Sequence, residues 1–194
     1  MGFLDTILGR SKPAPPDLDA LFALPSASIT LQASMDMAPT GRGAVCYRAP
    51  QGGAFANTQH EIQQLLDADD GPEVTFSTDA YGYTWLLVEH PPEDVAGLAT
   101  ELHAVNTTLQ DHGFGSSLLC SLASFRDQTG RPLGLVYLYK QGTFYPFAPA
   151  PGAGERRDSV LEMQVKSLVE GDLRLEPDTA RWFPVWGAPG LETG

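Results

Sequence analysis

The side chains best suited to chemistry in this 194-residue sequence are four histidines, two cysteines and Lys140, a lysine set among rings. His60, His90, His103 and His112 include no pair four residues apart on a helix, so the two-imidazole zinc pattern is absent. His103 and His112 lie on or beside a predicted helix, off its apolar stripe, which reads as solvent-exposed histidine. Glu89-His90 closes a predicted strand and would supply a base with an orienting carboxylate, but no nucleophile stands in a recognisable elbow. The glycines of GRG (41–43) and GFG (113–115) extend to neither a dinucleotide nor a phosphate-loop pattern. Asp67, Asp69 and Asp70 lack the spaced ligands and closing glutamate of a calcium loop and read as a solvated helix end. Cys46 and Cys120 sit singly in apolar, strand-like surroundings and read as buried reduced thiols rather than a metal or disulfide framework. No catalytic residue, metal or cofactor is therefore expected. Lys140 remains, in LVYLYKQGTFYPFAP (135–149), where Lys140-Gln141-Gly142 separates two aromatic groups. It marks a catalytic group, a docking surface or only a turn.

The elements that must position these residues follow from hydrophobic period. Phe3, Leu4, Ile7 and Leu8 fall at helical spacing, and PAPP (13–16) ends the pattern, so residues 1–16 read as an amphipathic arm and Pro-rich linker. Asp17 is a plausible cap for a short helix over 18–24, stopped by Pro25. SITLQA (28–33) alternates and predicts a strand, as does GAVCYR (43–48). Residues 55–68 predict a helix on Ile62, Leu65 and Leu66, ended at Gly71-Pro72. EVTFS (73–77) and YTWLLVE (83–89) predict a hairpin about Asp79-Ala80-Tyr81-Gly82. Val95, Leu98, Ala99, Leu102, Val105 and Leu109 form one apolar stripe, with Gly113 as its stop. A second hairpin joins SLLCSLASF to PLGLVYLYK, whose return strand is apolar on both faces and reads as central. A last helix covers about 158–170.

Hairpins interleaved with helices predict an α+β fold: a mostly antiparallel sheet with helices on one face, either split βαββαβ-like or secretion-chaperone-like. The expected organisation is the arm over 1–16, the domain over 17–170 and a Trp/Pro-rich tail over 171–194, packed on the domain or on a partner. Hydrophobic residues make up 42%, with no apolar run near the roughly 18 residues that span a bilayer. A net charge of −12 repels phosphate backbones, which argues against nucleic acid. No basic region leads the chain and Asp5 interrupts Phe3–Leu8, which argues against a secretory signal, so a cytoplasmic location is expected. The match of Met1-Gly2 to Thr6 to an N-myristoylation pattern needs only three positions and is read as chance.

Two aromatic groups stand out: Tyr139, Phe144, Tyr145 and Phe147, then Trp182, Phe183 and Trp186. They pack on each other as core, or they form a partner-binding surface with Lys140 as a rim charge. The arm residues Phe3, Leu4, Ile7 and Leu8 would touch the membrane or the partner. A segment so short is marginal as a helix alone, so that contact is weak and reversible.

MGFLDTILGRSK, PDLDALFALPSA, GAVCYR, YGYTWL, LHAVN, GFGSSLLCSL, LVYLYKQGTFYPFAP and RWFPVWGAPGL together resemble the actinobacterial PspAB family of PspA-associated proteins, from Met1 to about Leu191. The resemblance implies a cytoplasmic, non-enzymatic adaptor in the phage-shock response to envelope stress. Its partner would be PspA, a helical, membrane-binding, polymer-forming protein, with peripheral contact at the inner face of the cell membrane. A chaperone-like module holding a client segment is the alternative, and an enzyme with a site assembled only in space is the third.

Overall fold

The computed structural model describes residues 16–48, 57, 60–64, 74–152 and 154–192. Six strands form one open antiparallel sheet: β1 (Ala38–Tyr47), β2 (Thr75–Thr78), β3 (Thr84–Glu89), β4 (Leu118–Arg126), β5 (Pro132–Leu138) and β6 (Thr143–Phe147). Their order across the sheet is β2-β3-β1-β4-β5-β6. The first four strands, with helical residues 60–64 between β1 and β2 and α2 (Val95–Leu109) between β3 and β4, have the order of a split βαββαβ unit. The expected α+β fold is therefore present. The sheet is lengthened by β5 and β6 on the β4 side, and two further helices, α1 (Leu24–Met35) and α3 (Ser159–Val169), join α2 on one face.

Alternation along the strands divides the core in two. Val45, Tyr47, Leu86, Val88, Phe125, Leu135 and Tyr137 face the helices. Ala44, Cys46, Trp85, Cys120, Leu122, Val136 and Leu138 face the other way, where Trp182, Val185, Ala188 and Leu191 cover them. A side chain at position 134 would meet Leu122 Cδ1 at 2.4 Å and Leu191 Cδ1 at 3.2 Å, so glycine there lets the tail settle onto β5. Strand β5 is buried on both faces, as its sequence predicts. Asn106 ties α2 to β4, donating from Nδ2 to Ser121 Oγ at 2.7 Å inside the core.

Two expectations need correction. SITLQA is not a strand but the middle of α1, where Leu24, Ala27, Ser28 and Leu31 are buried at i, i+3, i+4 and i+7. Ile29, which the alternating pattern would bury, is 70% exposed. Nor does Pro25 stop a helix. A 3₁₀ turn over Leu18–Ala23 runs directly into α1, and Pro25 sits in its first turn, where the missing N–H has no helical partner to lose.

The break at Lys140 is the turn of a third hairpin. Gly142 takes φ +65° and donates to Leu138 O at 2.9 Å, returning the chain into β6. Strand β6 is an edge strand, which tolerates Pro146. Its outer side is occupied by Phe144 N bonding Arg174 O and Glu176 N bonding Phe144 O, at 2.8 and 2.7 Å. In the β4–β5 turn Asp127 accepts from Thr129 Oγ1, Thr129 N, Arg131 Nε and Arg131 N. Burial would raise its pKa, but these bonds outweigh it and hold the carboxyl at about 2.

Candidate functional site

A cavity of about 550 Å³ lies between the sheet and the tail. Its floor comes from alternate residues of four neighbouring strands: Trp85 on β3, Cys46 on β1, Cys120 on β4 and Leu138 on β5. Its roof is Phe183, Pro184, Val185 and Trp186. The tail is held away from this corner by contacts farther along β6. Tyr145 stacks on Trp182 with centroids 5.9 Å apart and donates from its hydroxyl to Phe183 O at 2.8 Å, while Phe147 meets Trp186 edge-on at 4.8 Å. Arg157 bonds Glu162 Oε1 at 2.8 Å and Trp182 O at 2.6 Å, joining α3 to the tail, and Glu162 also accepts from Ala148 N at 2.9 Å.

The polar groups of the cavity divide into spent and unspent. Asp79 accepts from Tyr81 N, Tyr83 N and Trp85 Nε1 at 2.9, 3.0 and 2.9 Å, so both carboxylate oxygens are used in shaping the β2–β3 turn and seating Trp85. Cys46 and Cys120 are cross-strand neighbours, both buried and free. The hydrogen bond that Cys46 donates to the Cys120 sulfur, then burial, push the Cys46 thiol upward, so it stays protonated at neutral pH and is a poor nucleophile. Arg48 and Lys140 are exposed cations lining the same cavity. Among the described residues neither has a carboxylate partner; Arg48 lies 5.6 Å from the Tyr83 ring centroid and reaches the Tyr83 hydroxyl at 3.3 Å.

On the opposite side, α1 and α3 leave an open groove of about 910 Å³. Val160, Met163, Gln164 and Ser167 line it from α3 at i, i+3, i+4 and i+7, with Met35 from α1 across from them. Val160 is 71% exposed and Met163 is 41% exposed, although the buried face of the same helix is already satisfied by Leu161, Val165 and Val169. Val160 and Met163 thus form a second, exposed apolar edge on a helix whose core contacts are already made.

The residues singled out in the sequence separate accordingly. Tyr139, Phe144, Tyr145, Phe147 and Trp182 are buried, packed within the two cores, so they are no exposed ring surface. Lys140, Phe183 and Trp186 remain at the cavity, Phe183 being 52% exposed. Phe3, Leu4, Ile7 and Leu8 lie outside the described residues, as do Leu65, Leu66, Asp67, Asp69 and Asp70. His90 pairs with Asp94 at 3.3 Å and with Glu101, tying the end of β3 to α2, while Glu89 pairs with Arg42. His103 stacks on Phe22 and His112 bonds Thr108 O. Sequence reasoning missed Arg48, Asp79 and the α1–α3 groove. The second apolar stripe Val160/Met163 was the signal for the groove; nothing in the chain order brings Arg48 to Lys140.

Among the described residues no group of three or more histidine, cysteine, aspartate or glutamate side chains could hold a metal, and no helix is long and apolar enough to cross a membrane. Compared with curated proteins and with solved structures, the chain finds no match. The family model of PspAB, described as PspA associated protein B, matches residues 1–190. With its length covered almost end to end, the chain belongs to the PspAB family of PspA-associated proteins.

Proposed function

We propose that the protein is a non-enzymatic accessory component of a PspA system, which grips an amphipathic helix of a PspA-type partner in the groove between α1 and α3. The observation that carries this reading is an exposed apolar groove on a helical face in a chain of the PspA-associated family. A helix laid into such a groove buries its own apolar face on Met35, Val160 and Met163. The net charge of −12 favours a partner whose polar face is basic. Asp79, His90, His103 and His112 are each engaged in structural contacts, which favours binding over catalysis.

With purified PspA-type partner, the full chain is expected to form a stoichiometric complex. The doubly substituted Val160→Asp/Met163→Asp protein is expected to bind at least about tenfold more weakly, since two anchors each bury part of the roughly 1.5–3 kcal/mol of an apolar side chain. Its thermal midpoint should be unchanged, because both positions are exposed. Equal binding by the variant removes the groove from the interface. Capture of many unrelated unfolded chains, without preference for the partner, would instead make the protein a chaperone-like holder.

The amphipathic arm has its place in this reading as a weak, reversible contact with the inner membrane surface or the partner, through Phe3, Leu4, Ile7 and Leu8. Flotation with anionic liposomes is expected for the full chain and lost in a chain starting at Asp17. Equal flotation of both ends the arm's membrane role.

A further inference from the structure

We propose that the cavity under the tail binds a single-chain amphiphilic anion, with its apolar body on the floor of the sheet and its head between Lys140 and Arg48. This inference is independent of the partner-helix reading, since the cavity lies on the opposite face of the sheet from the groove.

Three features of the cavity select that ligand. Its size, about 550 Å³, falls within the ~300–1,000 Å³ of sites that enclose a small molecule. Its floor, made of Trp85, Leu138, Cys46 and Cys120, offers almost no hydrogen-bonding capacity, because thiols are weak hydrogen-bonding groups and the indole N–H is already given to Asp79. The body of the ligand is therefore apolar. The cations decide the head. Lys140 and Arg48 both line the cavity, and neither has a carboxylate partner among the described residues. The one carboxylate beside them, Asp79, has its charge spread over three N–H donors, so the two cations outweigh it. An apolar cavity with a positive edge is the complement of a fatty carboxylate or a comparable lipid-derived anion.

The cavity also explains the tail's arrangement. Phe183 and Trp186 stand over it with exposed edges, whereas Trp182, four residues from Trp186, is buried in the ring stack that fixes the tail. Rings poised at a mouth close over a bound chain at small conformational cost.

Dodecanoate, below its micelle-forming concentration, is the probe. Added to the full chain it is expected to bind saturably at one site, to change the fluorescence of Trp85 and Trp186, and to slow alkylation of Cys46 and Cys120. Dodecyltrimethylammonium, with the same tail and opposite charge, should bind at least about tenfold more weakly. Lys140→Gln combined with Arg48→Gln replaces two exposed side chains, so the fold should persist, and is expected to weaken dodecanoate roughly ten- to a hundredfold while leaving dodecanol unaffected. Vesicles of phosphatidylglycerol separate the two sources of such an anion: slowed alkylation with vesicles alone means the ligand is drawn from a bilayer, and slowed alkylation with dodecanoate alone means it is taken from solution. The proposal is overturned if wild-type protein shows no saturable binding of dodecanoate, if the cationic amphiphile binds equally well, or if the doubly substituted protein binds dodecanoate unchanged.

Discussion

Trp182→Ala is expected to lower the unfolding free energy by about 3–5 kcal/mol, the range for truncating a buried aromatic side chain. The indole is 5% exposed, stacks on Tyr145 and donates from Nε1 to Glu176 O at 3.0 Å, so alanine leaves a void and an unanswered carbonyl together. The consequence is not confined to the tail. Residues 182–191 are the cover of the second face of the sheet, and without their anchor Trp85, Val136 and Leu138 lose their shield from water. Urea unfolding should show an earlier midpoint for Trp182→Ala, while Phe183→Ala, at a half-exposed ring, should change stability by less than about 1 kcal/mol. Similar effects of the two substitutions would contradict the division of the aromatic cluster into buried anchor and exposed rim.

Glu162→Ala is expected to cost a comparable ~3–5 kcal/mol, for an electrostatic reason. Glu162 is 3% exposed on α3, and its Oε1 accepts from both Ala148 N and Arg157 Nε. Truncation leaves a guanidinium held beside the Phe147 ring, 5.1 Å from its centroid, with its charge unbalanced, and an amide N–H at the end of β6 without an acceptor. Glu162→Gln keeps an oxygen for the amide while removing the charge, so its cost should be smaller, roughly 1–3 kcal/mol. If glutamine proved as damaging as alanine, the charge facing Arg157 rather than the hydrogen bond to Ala148 N would hold α3 to the sheet. Denaturant midpoints at constant m-value distinguish these outcomes.

Both substitutions act on contacts that sequence periodicity could not show, and the same physical limit runs through the rest of the molecule. The stripe from Val95 to Leu109 is read correctly because one helical period accounts for every apolar residue in it, while Gly113, expected to stop this helix, takes φ +90° inside the π-helical turn Gln110–Phe114 that follows it. SITLQA misleads because short stretches satisfy two periods at once: Leu31 is buried under either, and only the neighbours Leu24 and Ala27, outside the six residues, favour the helix. Strand β6 is hidden by Pro146, which signals loop in isolation but is harmless on an edge strand. Lys140 was visible as an anomaly, and the tight turn at Gly142 accounts for the break in the pattern. Its pairing with Arg48 across the cavity depends on β1, β4 and β5 lying side by side, a property of the sheet order alone. The aromatic residues were recognisable as a group, but whether a ring faces inward is settled by what packs on it, and the tail supplies that packing.

The central claim, that the protein works by holding a partner helix between α1 and α3, is tested most directly by hydrogen exchange on the full chain with and without purified PspA-type partner. The result expected is slowed exchange in Leu24–Met35 and Ser159–Val169 on complex formation, absent in Val160→Asp/Met163→Asp. A complex that forms while both helices exchange at their free rates, with protection elsewhere, would contradict it.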